Sequence, residues 1–301
     1  MLNTAKTPSR LMAPLFAAAT ALAIAGTSYA GDPIVSGVQR VGQPTTIQFQ
    51  GPVLEEDTVP GSGNPFLDWR VLCTITQPDA SEVIVRGYFA ADGDAADSHA
   101  TGGDRWNVMF TPSQVGLHTF AVTLHEGSEV GVDPDPAAGT PYLAPDSFHG
   151  QSGSFTVDTL DVQAPGFLAK GMAHYVGEHF LRFDDGSYFL KGGTNSPEDL
   201  LAFRGFDDTV NKHHYTPHTD DWQVGDPDWT DDEGDSGRNL IGALNYLAGK
   251  GMNSVYFLTM NVHGDGNNAW PWTGPYEYLQ FDVSKLAQWE LAFSHMDALG
   301  I

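Results

Sequence analysis

The sequence predicts a multidomain protein: an all-β, immunoglobulin-like sandwich over residues 31–160, then the first two strand–helix (βα) units of an incomplete parallel array over residues 161–301. Three observations predict it. Apolar residues alternate with period two from Val35 to Val157, the mark of strands with one buried face. Beyond Phe180 the pattern becomes apolar runs alternating with helical stripes, the signature of a parallel sheet or barrel. Helix-closing punctuation also occurs twice. Leu247-Ala248-Gly249-Lys250-Gly251 leads into a strand opening at Met252, whereas Leu299-Gly300 leads only into Ile301, so the array is expected to be truncated.

Residues 1–30 read as a secretory signal peptide. Lys6 and Arg10 form a basic start, Leu11 to Ala25 an apolar stretch, and Ser28-Tyr29-Ala30 a small-x-small site with cleavage expected after Ala30. The apolar stretch is short for a membrane span, and no later segment approaches the roughly 20 apolar residues such a span needs. An uncleaved anchor is the alternative. The expected location is therefore secreted or periplasmic.

The sandwich is built from short alternating runs: Ile47 and Phe49; Val71, Cys73 and Ile75; Val83 and Val85; Trp106, Val108 and Phe110; Phe120, Val122 and Leu124. Breaks rich in Gly, Pro and Asp supply the turns. Phe110-Thr111-Pro112 through Gly116-Leu117-His118 reads as a strand, a proline-started turn and a strand crossing between sheets. Val130 to Gly150 reads as a long surface loop.

In the second part, Phe180 to Phe183, the turn Asp184-Asp185-Gly186, and Tyr188 to Leu190 predict a hairpin running into Gly192-Gly193-Thr194-Asn195. Leu240, Leu244 and Leu247 stripe a helix from about Asn239 to Lys250. Met252 to Asn261 is almost continuously apolar or β-favouring, as expected of a parallel strand buried on both faces. Leu286, Trp289, Phe293, Met296 and Leu299 stripe the last helix, with Asp282 and Ser284 at its capped start and Gly300 at its left-handed end. Two units are too few to close a barrel of roughly 250 residues.

The chain of 301 residues carries 14 basic and 38 acidic side chains. Removing Lys6 and Arg10 with the leader leaves 12 against 38, a charge of −26. Such a protein repels nucleic acid and anionic lipid, so neither is an expected partner, and no obligate protein partner is inferred. Solubility explains the acidity, and calcium is the one cofactor it leaves open. Asp92-Gly93-Asp94 with Asp97, and Asp226 through Asp235, lack the ordered spacing of a calcium loop. Cys73, the only cysteine, alternates with core positions and reads as a small hydrophobe. His214 and His218 are four apart, but Pro217 opposes the helix that would align them, and no H-E-x-x-H is present, so no metal site is expected. Hydrolase-elbow and phosphate-loop motifs are absent as well.

Sites in parallel α/β folds form where strands end. Those ends are Gly193 to Asp199 and Thr259 to Asn267. Asn195, Asn261 and Glu198 supply amide and acid groups that can bond sugar hydroxyls or orient a carboxylate, and the flat faces of Trp270 and Trp272 suit pyranose C–H faces. The competing readings are turn formation for the asparagines, loop packing for the tryptophans and a structural role for Glu198. No convincing catalytic pair of carboxyl groups emerges, although glycoside hydrolysis needs two.

The order of the sandwich, with Gly51-Pro52 and Asn64-Pro65-Phe66, and then Tyr188-Phe189-Leu190-Lys191-Gly192-Gly193, resembles bacterial proteins with the DUF5060 domain. In these an immunoglobulin-like module precedes a (β/α)8 barrel of glycoside hydrolase type. The match extends through Lys191 to Glu198, Asp221-Trp222, Gly242 to Leu247, Leu258 to Asn261, Gly264-Asp265-Gly266, Trp270-Pro271-Trp272, Phe281 to Leu286 and Gln288-Trp289-Glu290. The resemblance implies a glycosidase acting on an extracellular poly- or oligosaccharide by two carboxylates. It places the catalytic glutamates at later strand ends, beyond Ile301, so that no catalytic residue is assigned and the chain alone is expected to be inactive. The uncovered parallel edges and apolar helix faces of two lone βα units separately predict that it folds poorly on its own. Asn195, Ser196, Glu198, Asn261, Trp270 and Trp272 become substrate-side residues by the same resemblance. A carbohydrate-binding or adhesion module without catalysis is the alternative, and a packing spacer the blandest role for the sandwich.

Overall fold

A computed structural model describes residues 30–195, 198–210, 213–231, 234–264 and 266–301. The expected leader lies outside the described residues apart from Ala30. The described chain is mostly antiparallel sheet with few helices. One sheet has the order β1 (Ile34–Gly37), β2 (Thr45–Glu55), β6 (Gly102–Phe110) and β5 (Tyr88–Phe89). A second runs β4 (Glu82–Arg86), β3 (Trp69–Thr76), β7 (Gly116–Glu126) and β8 (Thr140–Pro141), with β9 (Ser152–Val157) also on β7.

The alternation seen in the sequence sets the register. Ile47 stands opposite Val108 and Phe49 opposite Trp106 in the first sheet; Cys73 faces Val122 and Ile75 faces Phe120 in the second. Side chains from both sheets share one buried core. The proline-started turn carries the chain from β6 in one sheet to β7 in the other. Cys73 is fully buried and burial pushes its thiol up to about 12, the behaviour of a core hydrophobe. The stretch from Val130 to Gly150 differs from a plain surface loop. It buries Phe148, which stacks on Phe49 at 5.0 Å, because the inter-sheet gap beside Gly51 is left for an aromatic ring.

A third small sheet joins β10 (Ala173–His174), β11 (Leu181–Phe183) and β12 (Tyr188–Phe189), the last two forming the expected hairpin. Asp185 Oδ1 accepts from both the backbone and the hydroxyl of Ser187 at 2.7 Å, and Gly186 takes φ 87°. Among the described residues the α-helices are a short turn α1 (Ala95–Ser98), then α2 (Arg238–Gly249) and α3 (Val283–Leu299), with 3-10 turns at Gly166–Ala169 and Thr216–Asp221. Asp282 caps α3, accepting from the Lys285 N–H at 2.9 Å, and Gly300 closes it at φ 77°. Trp289 and Met296 on α3 and Leu240, Ile241 and Leu244 on α2 are buried in a second core, where Phe206 stacks on Trp229 at 5.4 Å.

The parallel strand expected over Met252 to Asn261 is not formed as a ladder. Thr194 and Val255 make a single parallel bridge, and Met252, Tyr256 and Met260 are exposed. A segment bonded along one edge and covered on one side cannot bury both faces.

The sandwich and α3 share a seam. Phe66 meets Phe281 edge-on at 5.2 Å, and Val283 enters the sandwich core. Glu56 accepts from the Val283 N–H at 2.7 Å, Asn64 donates to the Leu279 carbonyl at 3.0 Å, and His99 pairs with Asp207 at 2.9 Å. A cavity of about 750 Å³ opens along this seam between Trp69, Tyr88, Trp106, Trp289 and Phe293.

Candidate functional site

Two chain segments are held side by side in parallel. Asn253 N–H donates to Gly192 O at 2.8 Å, Thr194 N–H to Ser254 O at 3.2 Å, Tyr256 N–H to Thr194 O at 3.1 Å and Leu258 N–H to Glu198 O at 2.7 Å. Gly193 permits the approach, since a Cβ there would collide with the Ser254 carbonyl. The residues just beyond, Asp199 and Asn261, are thereby delivered to one place.

There they join a continuous polar network. Asp199 Oδ1 pairs with His213 Nε2 at 2.7 Å, and Asp199 Oδ2 accepts from Asn268 Nδ2 at 2.7 Å. Asn268 Oδ1 accepts in turn from Asn261 Nδ2. Asn261 Oδ1 takes the backbone N–H groups of Asn268 at 3.1 Å and Ala269 at 3.0 Å. Burial pushes the Asp199 carboxyl up, but the hydrogen bonds from His213 and Asn268 and the His213 charge outweigh it, leaving Asp199 below its ordinary value. Tyr215, 5.5 Å from the His213 ring, has its hydroxyl pushed up by burial and by the Asp199 charge. The result is an ionised carboxylate holding an imidazole by Nε2, which in the neutral ring makes Nδ1 the acceptor nitrogen. Such a unit can orient hydroxyl groups or take a proton. It is a single carboxylate centre and does not by itself supply the acid and nucleophile of glycoside hydrolysis.

The residues picked from the sequence fall in different places. Asn261 is buried within the network. Asn195 and Glu198 are exposed on the adjoining segment, with Lys191 Nζ 3.4 Å from Asn195 Oδ1. Ser196 lies outside the described residues. Trp270 and Trp272 are buried: the Lys285 ammonium stands 5.6 Å over the Trp270 ring, and Tyr278 packs edge-on to Trp272 at 4.8 Å. The open aromatic rings of this loop are instead Tyr276 and Tyr278. In the sequence Asp199 stands only as the last residue of the segment from Gly193, without a role of its own; Asn268 and these tyrosines carry none, and the histidines near His213 read only as rejected metal ligands. The available signal was that Asp199 follows Glu198 at the same segment end.

Among the described residues no group of three or more His, Cys, Asp or Glu is placed to hold a metal ion. In the acidic run after Gly225, Asp226 accepts from Asn245 at 2.7 Å and Asp228 pairs with Arg238 at 2.7 Å. No helix of the described residues is long and apolar enough to cross a membrane.

Residues 43–125 match the family model of the domain of unknown function DUF5060. No curated protein matches the chain. Among solved structures, it is similar to a protein from Bacteroides vulgatus ATCC 8482 described as a "putative glycoside hydrolase", at 15% identity and TM-score 0.50, over 87% of this chain and 39% of that one. The chain thus spans about two fifths of the length of that protein, with which it shares a fold.

Proposed function

We propose that this chain is the front part of an exported carbohydrate-active enzyme: an immunoglobulin-like sandwich (31–160) followed by the start of a glycoside hydrolase-type (β/α)8 barrel (161–301). In this reading the leader directs export, the sandwich packs against the barrel start, and the two reacting carboxyl groups belong to a part of the protein outside this chain. The observation that carries it is the delivery of Asp199 and Asn261 to one polar network by adjacent parallel segments, in a chain sharing its fold with the Bacteroides vulgatus protein. Asn195, Ser196, Glu198, Asn261, Trp270 and Trp272 are the proposed substrate-side residues, the exposed Asn195 and Glu198 making direct contact and the buried Asn261 and tryptophans shaping the wall behind them.

The test is hydrolysis by the complete gene product on a panel of plant and algal glycans. Release of reducing sugar by the complete product, and none by residues 31–301, is the expected outcome. A complete product that leaves every glycan intact while still binding one favours a binding or adhesion module instead.

A further inference from the structure

We infer that His263, Tyr276 and Tyr278 form an aromatic subsite that stacks against the ring faces of an uncharged glycan. The inference rests on the carbohydrate-directed reading above and gives it a ligand class and a place.

Three features converge on these residues. The first is exposure: Tyr276 is 53% and Tyr278 41% accessible, in a loop whose two tryptophans are both buried. The second is mutual order. The Tyr278 hydroxyl lies 2.8 Å from His263 Nε2, the His263 ring is 5.3 Å from Tyr276, and it is nearly parallel to Tyr278 at 26° and 6.4 Å. The third is strain: His263 at φ 63° and Tyr278 at φ 41° both occupy the left-handed region that bulky residues rarely enter. Chain that only needed to turn would place glycine or asparagine there.

The strain is sustained from outside the cluster. His263 N–H donates to Asn267 Oδ1 at 3.1 Å, Thr273 N–H to Gln280 O at 3.0 Å, and Trp272 bridges Phe281. Asn64, from the sandwich, holds the Leu279 carbonyl at 3.0 Å. The backbone that carries the rings is therefore tied down at both ends, which limits the entropy lost on binding. The ligand class follows from surface chemistry. Flat faces with hydroxyl edges suit the C–H face and equatorial hydroxyls of a pyranose. Glu277 lies between the two tyrosines, and the whole chain carries −24, so uronate-rich and sulfated chains are repelled. The platform adjoins Trp272, and through it the loop that carries Asn261 and Asn268.

The experiment prints residues 31–301 onto a glycan array holding neutral β-glucans, xylans, mannans and galactans beside alginate, pectate and sulfated galactan. Binding to at least one neutral class is expected. Tyr276→Ala with Tyr278→Ala should weaken it at least tenfold, Tyr278→Phe far less, and an unchanged thermal midpoint would show that the variants still fold. If residues 31–301 do not fold, the same variants are made in the complete gene product. Equal binding by the double variant, capture of the anionic glycans alone, or no binding at all overturns the inference. Hydrolysis is scored separately. A complete product that hydrolyses glycans with an inert platform sinks the subsite and spares the enzyme reading, and an inactive product whose glycan binding needs both tyrosines does the reverse.

Discussion

Glu56 is a buried carboxyl facing the first turn of α3. Burial, joined by the nearby charges of Asp282 and Asp208, outweighs the pull of the Val283 N–H and Lys285 and raises its pKa to about 8. Its folded value lies above its ordinary 4.5, so the folded state binds this proton more tightly than the unfolded chain does. The stability it contributes is complete below about pH 4.5 and lost as pH rises through about 8, at up to about 1.4 kcal/mol per pH unit inside that window. Glu56→Gln keeps an acceptor for Val283 and has no proton to lose. Its urea-unfolding free energy should fall less steeply than the parent's between pH 5 and pH 8, and parallel pH profiles would show that Glu56 is not the titrating group. Nothing in the local sequence signals this residue. Glu55 and Glu56 look alike as letters, and only the fold carries one of them under a helix that begins 227 positions later. The Asp199 network was hidden for the same reason, since Asn268 comes from 69 residues away.

At the scale of elements, α3 shows what sequence can and cannot convey. Of its expected stripe, Trp289 and Met296 are buried and Leu286, Phe293 and Leu299 only partly so, with Gln288 and His295 sharing the buried face. Its cap and its stop at Gly300 were legible, because each depends on neighbours within a turn or two. Its buried charge was not. Lys285 is fully buried, donates to the carbonyls of Asp208 at 3.1 Å and Trp272 at 3.2 Å, and pairs with Asp282 at 3.0 Å. Asp282 therefore serves as cap and as counter-ion. Asp282→Asn retains capping and loses the ion pair; Asp282→Ala loses both. Loss of a lone cap costs about 1 kcal/mol, whereas stripping a buried cation of its partner costs about 3–5 kcal/mol. Both variants should fall near the larger figure by chemical denaturation, and an Asn variant within about 1 kcal/mol of the parent would show the pair to be dispensable.

The parallel segments offer a second comparison at this scale. Alternation announced the sandwich strands because one face is wet and one dry. An unbroken apolar run such as Val255 to Leu258 announces burial without saying which edges are paired, and a single bridge is what forms. Gly193→Ala should force that bridge apart, with a loss of about 1–3 kcal/mol. Hydrogen exchange would report it as faster exchange at the Thr194 and Tyr256 amides, and unchanged protection there would mean that the backbone contact is not what holds the segments.

Across the whole molecule, 38 acidic against 14 basic side chains make self-repulsion a standing destabilising force. Raising salt from about 10 mM to about 500 mM shortens the screening length from roughly 30 Å to a few ångströms. The melting temperature should rise by roughly 2–4 °C, the equivalent of about 1 kcal/mol in a chain of this size. A melting temperature that fell would place the balance with attractive surface pairs instead.

The loop from Glu56 to Asn64 reaches across to the segment from Leu279 to Val283. That short segment is at once the anchor of the aromatic loop and the entrance to α3. A recombination breakpoint anywhere between Thr159 and Phe180 would sever this handshake, although the chain there looks like a harmless place to cut. The two parts are therefore expected to be exchangeable only as a matched set. Swapping the sandwich for one from a relative should succeed only where the residues equivalent to Glu56, Asn64 and Phe66 travel with partners shaped to receive them.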